Sequence, residues 1–475
     1  MSMKIFSTLS RQEESFEPVE TGKVRMYVCG PTVYDFIHIG NARPLVVFDT
    51  FHRFMKWSGY DVKYVVNFTD IDDKIINRAN KEGVSYSDIS DTYIDAFLNN
   101  ARQLNLLEEE TIHPRATQMI SQIIEFVQGL IDKGMAYEAE DAVYFDVSKD
   151  KEYGKLSGKK VEDLQAGARI SVNDKKDDPM DFAVWKKQKE ENEPAWDSPW
   201  GPGRPGWHIE CSTMSRSLLG DTIDIHAGGA DLIFPHHENE IAQSESLTGK
   251  TFAKYWMHNG MITVSAADGT KEKMSKSLGN FFTLNDIAKE YDLIVVRFWL
   301  LSTHYRAPIN FSRQVMDQSK ASYERLMNTK HNMERLMDHN ESKPLSEEEK
   351  KLLEEGERIR ENFIRVMEDD LNTADALTAL FDLSRLSNAK LTENSSKEAV
   401  KSLYELYQQL LDVLGLEDRT KEENLDQDFE GLIEQRNQAR KEKDFAKADA
   451  IRDQLFEMGI ILKDTPTGVV WERKN

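Results

Sequence analysis

Cysteine is scarce in this chain of 475 residues, which contains only Cys29 and Cys211. This scarcity excludes a small disulfide-stapled fold, since such folds need several cysteine pairs. Long apolar runs are also lacking, because no stretch approaches the roughly 18 residues that a membrane span needs. The first residues, MSMKIFSTLSRQEE, lack the sustained apolar core of a signal peptide. We therefore expect a cytoplasmic protein without membrane association.

Basic residues are outnumbered by acidic ones, with 61 Lys and Arg against 83 Asp and Glu and a formal net charge of −22. This balance gives no support to a nucleic-acid partner, because phosphate binding favours basic surfaces. The charge is unevenly distributed, however: residues 341–430 hold 12 basic and 24 acidic residues, whereas residues 431–475 hold 9 and 8. A local RNA contact near the C-terminus therefore stays open, with Arg436, Arg440 and Trp471 as its candidates. A salt-bridged surface helix is an equally good interpretation of the two arginines.

Short apolar runs alternate with helical patterns in the N-terminal half, as in VRMYVCG, PLVVFDTFHRFMKWSG and DVKYVVNFTD. This βαβ alternation predicts a parallel sheet. A charged, turn-rich stretch interrupts it before DTIDIHAGG resumes the pattern, and long amphipathic helices follow residue 297. The predicted fold is α/β: a Rossmann-like parallel-sheet domain split by an insertion, then an α-helical bundle and a small C-terminal α+β module.

The predicted boundaries follow these changes of pattern. They are 1–130 for the first sheet half with the start of the insertion, 131–200 for the rest of the insertion, 201–260 for the second sheet half, 261–315 for a lysine-containing loop region, 316–420 for the bundle and 421–475 for the last module. We also predict helical structure from about Ile75 to Leu130 and a helix from about Pro235 to Leu247.

Two motifs are suited to handling phosphate. In VCGPTVYDFIHIGNAR a strand runs into a loop and then a helix, whose N-terminal N–H groups and dipole favour an anion, with His38 and Gly40 at the entry. Some 235 residues later, GTKEKMSKSLGN places Lys273 and Lys276 in a Gly/Ser-rich loop that can close over developing negative charge. Taken alone, a histidine near a helix start is more often a structural residue, and a lysine-containing stretch is more often part of a solvent-exposed surface. The occurrence of both motifs in one chain is much less often a coincidence.

HIGN and KMSKS, in this order on a split β/α sheet, resemble the signature motifs of class I aminoacyl-tRNA synthetases. GWHIECSTMS, DIHAGGADLIFPHHENEIAQSES and RNQARKEKDFAKADAIRDQLFEMGI look like the cysteine-specific branch. Asn41 stands where the class at large has histidine. The resemblance implies ATP-dependent activation of L-cysteine, with Mg²⁺ on the ATP, and transfer to the 3′ adenosine of tRNA(Cys) by a protein we expect to be monomeric.

The resemblance also implies one zinc ion held by Cys29, Cys211, His236 and Glu240. Thiolate, imidazole and carboxylate are all ligands that zinc accepts. His236 and Glu240, four apart after Pro235, should share a helix face, whereas His237 and Glu238 should point elsewhere. A zinc-bound thiolate separates cysteine from serine at the first binding step, so we expect no editing domain.

Further roles follow from the resemblance. His38 and Asn41 should hold the triphosphate, and Lys273 and Lys276 should neutralise the transition state. The remaining residues are assigned to nucleotide binding (Gly40, Gly228, Gly229, Asp231, Met274, Ser275) and to the amino-acid pocket (Thr32, Thr69, Trp207, His226). We expect Asp70 and Asp73 to cap the next helix, with a magnesium site there as the alternative.

Three other functions are compatible with parts of this sequence. A ligase joining cysteine to an amino sugar in thiol synthesis would use the same catalytic domain but has little use for the bundle and C-terminal module. A zinc hydrolase is disfavoured because no HExxH occurs and the ligand set leaves water no evident general base. A non-catalytic tRNA-binding paralogue is disfavoured because both phosphate-handling motifs are intact.

Overall fold

A computed structural model describes residues 3–159, 176–191, 193–265, 271–273, 282–416, 432–433, 435–440, 444–457, 460–465 and 468–473. The chain divides into two units, Met1–Leu416 and Glu417–Asn475. The strands are β1 Lys4–Ser7, β2 Gln12–Ser15, β3 Lys23–Val28, β4 Asp61–Val66, β5 Thr111–Ile112, β6 Ala136–Glu138, β7 Ala142–Phe145, β8 Phe182–Lys187, β9 Gly203–Pro205, β10 Ile223–Gly229, β11 Ala253–Asn259, β12 Ile262–Ser265, β13 Lys271–Lys273, β14 Ile309–Phe311, β15 Ile460–Thr465 and β16 Gly468–Arg473. The α-helices are α1 Ile39–Trp57, α2 Asp73–Glu82, α3 Tyr86–Gln103, α4 Ile120–Asp132, α5 Trp207–Leu219, α6 Glu238–Thr248, α7 Leu284–Ile287, α8 Leu293–Leu301, α9 Arg313–His339, α10 Glu347–Met367, α11 Thr373–Lys390, α12 Lys397–Leu414 and α13 Phe445–Glu457.

The central sheet has five parallel strands in the order β11-β10-β3-β4-β5. β3 and β10 are neighbours in this sheet although a four-stranded antiparallel sheet, β6-β7-β8-β9, lies between them in the chain. The split parallel sheet predicted from the sequence is therefore confirmed. The strand order reverses between β3 and β10, and in such sheets ligands bind beyond the carboxyl ends of the strands at that point.

Helix α1 fixes the entry to this point of the sheet. Of its 19 residues 14 are buried, so it is an internal helix whose position is set on nearly every side. Arg43 is buried within it and donates from Nη1 to the carbonyl of Gly260 and from Nη2 to that of Ala307, each at 2.6 Å. These bonds join α1 to the turn after β11, at the edge of the same cleft, and to the segment just before β14.

Helices α9 to α12 form the predicted helical bundle. Their apolar faces continue the core of the first unit, through residues such as Leu326, Phe363, Leu380 and Leu410. In the second unit, taken by itself, α13 precedes an antiparallel hairpin of β15 and β16. In the described part of the chain, no helix is both long and apolar enough to cross a membrane.

Two local predictions were wrong. The stretch from Ile75 to Leu130 is not continuously helical, because β5 adds two residues to the edge of the central sheet. Asp72, rather than Asp70 or Asp73, caps α2 by accepting a hydrogen bond from the backbone of Lys74 at 2.9 Å. The predicted helix from about Pro235 to Leu247 is confirmed: Phe234 has extended backbone angles (φ −140°, ψ 132°), helical backbone follows from Pro235, and α6 continues it over Glu238–Thr248.

Candidate active site

The carboxyl ends of β3, β10 and β11 open into a cavity of about 440 Å³. Its lining comes from the loop after β3, the start of α1, the segment after β10 and the turn after β11. Predicted site residues in that lining are Cys29, Thr32, His38, Gly40, Asn41, Trp207, Gly229 and Asp231. Residues far apart in the chain therefore face one volume.

The phosphate-handling end of this cavity is the N-terminus of α1. His38 is the N-cap residue, and its backbone N–H donates to Oδ1 of Asn41 at 3.2 Å. The side-chain oxygen of Asn41 thus caps the first turn of the helix. This hydrogen bond fixes the orientation of the Asn41 side-chain amide and of the neighbouring backbone. A helix start held in this way is a suitable anion site because its N–H groups point outward with the positive end of the dipole.

Four predicted metal ligands meet beneath the cavity, and one of them, Cys29, also lines its floor. The ligand atoms of Cys29, Cys211, His236 and Glu240 all lie within 4.8 Å of one another, and the four residues are buried. The two sulfur atoms are 3.8 Å apart, and the Cys29 thiol donates to Oε1 of Glu240 at 3.5 Å. Nε2 of His236 lies 3.1 Å from the same carboxylate oxygen. This donor set fits zinc, which binds thiolate, imidazole and carboxylate with tetrahedral geometry.

Burial drives these groups towards their neutral forms. It raises the pKa of the Cys29 thiol well above its ordinary value, with Cys211 and Glu240 adding to the shift, and it raises the pKa of Glu240. It lowers the pKa of His236 and His237 well below the ordinary value. A divalent cation reverses this preference for the thiols and the carboxylate, while the imidazoles already have the neutral form that binds metals. The electrostatics of the cluster therefore also fit a cation.

Further histidines surround the cluster, and sequence reasoning did not foresee their arrangement. His237, predicted to point elsewhere, instead places Nε2 3.3 Å from the Cys29 sulfur, and Cys29, His226, His237 and Glu240 form a second, overlapping ligand set. The other ring nitrogen of His237 pairs with His258 at 2.7 Å. His258 lies at the end of β11, so only the folded sheet brings it here. Glu238 does point away, accepting from the backbone of Ser157 at 2.7 Å.

The predicted amino-acid pocket is divided between the cavity wall and the layer beneath it. Thr32 and Trp207 line the cavity, and the Trp207 ring lies 4.2 Å from the His236 ring, centroid to centroid. Thr69 pairs with Thr32 through the backbone and is buried. His226 is fully buried below the cavity, where Nε2 lies 2.8 Å from Oε2 of Glu240. His226 therefore contacts a predicted metal ligand instead of lining the pocket.

The aspartates considered for magnesium contact protein groups. Asp70 accepts hydrogen bonds from the backbone and the hydroxyl of Thr117, at 3.0 and 2.5 Å. Asp73 pairs with Lys186 at 2.7 Å and with Arg204, both from the inserted sheet. These contacts give both carboxylates a structural role.

Several predicted residues lie partly or wholly outside the described residues. The backbone of Lys273 pairs with Thr263 in the β12–β13 hairpin, while Met274, Ser275 and Lys276 fall outside the described ranges. In the second unit Arg436 is buried and Arg440 is exposed. The backbone of Trp471 pairs with Leu462.

Comparison with known proteins bears on the whole chain. Residues 15–321 match the family described as tRNA synthetases class I (C) catalytic domain, residues 362–417 match the DALR domain and residues 422–471 match the cysteinyl-tRNA ligase anticodon binding domain. Cysteine–tRNA ligase of Finegoldia magna is 55% identical over 473 residues, which cover 100% of both chains. The chain belongs to the cysteine–tRNA ligase family. It is therefore an aminoacyl-tRNA synthetase, as the sequence motifs predicted.

Other relatives agree with this assignment. Cysteine–tRNA ligase of Clostridioides difficile is 55% identical over 471 residues, covering 99% of this chain and 100% of that protein. Methionyl-tRNA synthetase of Mycobacterium tuberculosis, bound to methionyl-adenylate, shares the fold with a TM-score of 0.61 at 15% identity, over 83% of this chain and 92% of that one. Residues 422–471 match an anticodon binding domain. This match disfavours the alternative function of joining cysteine to an amino sugar, because an amino-sugar substrate has no anticodon.

Proposed function

We propose that this protein activates L-cysteine with ATP and transfers it to the 3′ adenosine of tRNA(Cys), with zinc selecting the substrate by its thiolate. The observation that carries the proposal is the buried Cys29, Cys211, His236 and Glu240 cluster, which reaches the floor of a cleft through Cys29, while the other end of that cleft is a helix N-terminus. A soft-ligand site thereby adjoins a cavity of about 440 Å³ that also contains an anion site.

Zinc would be held by these four residues and would supply a Lewis-acidic partner for the substrate sulfur. The chain's own groups prepare this site. His226 fixes one carboxylate oxygen of Glu240, and His208 Nδ1 lies 2.9 Å from His236 Nδ1. Such second contacts orient metal ligands and set the imidazole tautomer, so that His236 presents Nε2 to the metal.

The amino acid should bind above this floor. Trp207, packed against His236 with the two rings tilted by 36°, walls the side-chain zone and keeps water from the sulfur. Thr32 and Thr69 come from two adjacent loops that are joined by their backbones, so they can hold the ammonium and carboxylate in fixed positions. His226, although buried, completes the assigned pocket by fixing Glu240.

ATP should lie between α1 and the segment after β10. His38 and Asn41 hold its phosphates with the N-terminus of α1, and Gly40, Gly228, Gly229 and Asp231 let adenine and ribose lie against the backbone. The reaction needs little covalent help from the protein: the cysteine carboxylate attacks the α-phosphorus and pyrophosphate leaves. Lys273 and Lys276 are proposed to neutralise the negative charge that develops on the phosphate in this step, with Met274 and Ser275 beside them in the nucleotide site. Magnesium is assigned to the ATP phosphates, since Asp70 and Asp73 contact protein groups.

The remaining parts of the proposal concern tRNA and the protein as a whole. The bundle, placed at 316–420, and the last module, placed at 421–475, should contact the anticodon stem and loop, with Arg436, Arg440 and Trp471 as contacts. The catalytic domain is proposed to consist of 1–130 and 201–260, with the insertion at 131–200 and the loop region at 261–315. We also propose a monomer that works in the cytoplasm, where thiolate ligands stay reduced.

Cysteine-dependent ATP–pyrophosphate exchange without tRNA tests the activation step. Zinc-loaded wild type should exchange with cysteine and not with serine or valine, and Cys211→Ala should lose the exchange. Ser215→Ala is the matched control, since it removes one buried atom from the same helix outside the ligand set. Absence of exchange from folded, zinc-loaded wild type would leave a non-catalytic tRNA-binding role as the better description.

A further inference from the structure

Helices α9 and α11 enclose a second cavity, of about 530 Å³, in the helical bundle. Its lining is polar and basic, combining two arginines, two asparagines and three hydroxyl groups around one aromatic ring. The lining residues are Arg325, Asn328, Thr329, Thr378, Phe381, Ser384, Arg385 and Asn388. None of them belongs to the active-site cleft.

The floor of this bundle cavity is an organised polar network. The hydroxyl groups of Thr329 and Ser384 are 2.6 Å apart, and Asn388 donates from Nδ2 to the Thr329 hydroxyl at 2.8 Å. Thr329 and Ser384 are buried, with 1% and 7% of their surface exposed. Two helices that only need to pack together would use apolar side chains here, because buried polar groups cost free energy unless they are hydrogen-bonded. The network therefore gives the cavity a polar, positionally fixed floor.

The two arginines at the rim keep their charge available. The guanidinium of Arg325 lies over the Phe381 ring, 5.1 Å from its centroid. In the described parts of the chain it has no carboxylate within ion-pairing distance. Among the described residues, the ion pair of Arg385 is with Asp382, one helical turn away on the same helix; the pair is exposed, and such pairs contribute little. An arginine stacked on an aromatic ring is held in position and loses little freedom on binding an anion.

The charge of the bundle is distributed to favour an anion at this place. Helix α9 carries five basic and four acidic residues and α11 carries two of each, whereas α10 carries five basic and seven acidic residues. Residues 417–430 carry two basic and seven acidic residues. Negative charge therefore predominates elsewhere in this acidic region and not on the two helices that form the cavity.

We propose that the bundle cavity binds one phosphate and its adjoining ribose from the tRNA backbone. Arg325 and Arg385 bind the phosphate oxygens, and Asn328 and Asn388 face the sugar hydroxyl groups. The inference rests on the proposed function, because it takes tRNA as the substrate. A planar guanidinium matches phosphate geometry, and phosphate contacts position a nucleic acid without reading its sequence.

Fluorescence anisotropy of labelled tRNA(Cys) with zinc-loaded full-length protein tests this. Arg325→Ala and Arg385→Ala should each weaken binding about 3- to 30-fold and lower the slope of log K against log salt by about 1. Arg325→Lys should keep most of that slope while losing affinity, because it retains the charge and lacks the planar fork. Thr378→Glu, at the exposed rim, should also weaken binding by charge repulsion.

Arg360→Ala is the matched control. Arg360 also lies in the bundle over an aromatic ring, 5.7 Å from the Trp57 centroid, and it is paired with Glu357 at 3.0 Å. This variant should leave tRNA affinity and salt slope unchanged.

Exchange without tRNA separates the two proposals. Normal exchange in all variants, with unchanged tRNA affinity and slope in Arg325→Ala and Arg385→Ala, would overturn the cavity proposal alone. If inorganic phosphate protected Arg325 from chemical modification while tRNA did not, the cavity would hold a free anion and the tRNA assignment would fail. Absence of exchange in wild type would instead overturn the proposed function.

Discussion

Nη2 of Arg297 donates to Oδ2 of Asp49 at 2.6 Å, joining two buried residues that lie 248 positions apart in the chain. Arg297 also donates through Nε to the carbonyl of Leu414, at the end of α12, at 2.7 Å. Gly415 follows with φ +65°, and a Cβ there would overlap the guanidinium. One side chain thus connects helix α1, which carries the phosphate-handling turn, with the last helix of the bundle.

Arg297→Met should destabilise the protein by about 3–5 kcal/mol, because it leaves Asp49 and several carbonyls without their buried donor. Arg53, which also binds Asp49 at 2.9 Å, keeps the carboxylate partly compensated and favours the lower end of this range. Urea unfolding gives the free energy. Arg335→Ala, which removes an exposed pair with Glu393, should change it by less than about 0.5 kcal/mol. Equal losses from both variants would contradict the assigned role.

Glu349 should make the stability of the bundle depend on pH. Hydrogen bonds from the backbone of Ser396, assisted by Ser346, lower the pKa of Glu349 to about 2 from an ordinary value of 4.5. Because the folded pKa is depressed, its contribution is fully present above pH 4.5 and is lost as pH falls towards 2. The contribution should stay below about 1 kcal/mol, since the group is partly open to solvent.

Urea midpoints of wild type and Glu349→Gln at pH 6 and pH 3 check this. The difference between the two proteins should shrink at the lower pH, whereas the exposed neighbour Glu348→Gln should show little difference at either pH. A difference for Glu349→Gln that grows on acidification would be inconsistent with the depressed pKa.

His226→Ala should weaken zinc binding about 10- to 100-fold, because Glu240 loses the donor that fixes its second oxygen. Competition with a chromophoric chelator measures the affinity directly, without relying on enzyme activity. His339→Ala, an exposed histidine at the end of α9, serves as the control and should bind zinc like wild type. Unchanged affinity in His226→Ala would show that the Glu240 contact does not support the metal.

Trp207→Ala should raise the KM for cysteine about tenfold or more while leaving the KM for ATP close to wild type. The ring lines the cleft and packs against His236, so its loss opens the amino-acid end to water and leaves the phosphate end intact. Trp207→Phe should retain most of the affinity, since it keeps an aromatic face. A rise in the KM for ATP alone would place this residue at the other end of the cleft.

The sequence alone determined those parts of the protein that depend on local pattern or on a recognisable motif. Alternating β-branched runs and helical periods predicted the split parallel sheet and the bundle, because burial of one face imposes a period on each element. The motif residues of the cleft, from His38 to Glu240, were found because they occur in compact blocks.

Only the tertiary structure decided how distant polar residues combine. His258 and His237 joined the cluster because β10 and β11 are parallel neighbours, and a single histidine in a strand carries no sign of its partners. Strand β5 is too short to show a period. The bundle cavity likewise joins Arg325 and Arg385, 60 positions apart, through helix packing alone. Sequence pattern reports which face of an element is buried, whereas a site is made by the side chains that packing brings together.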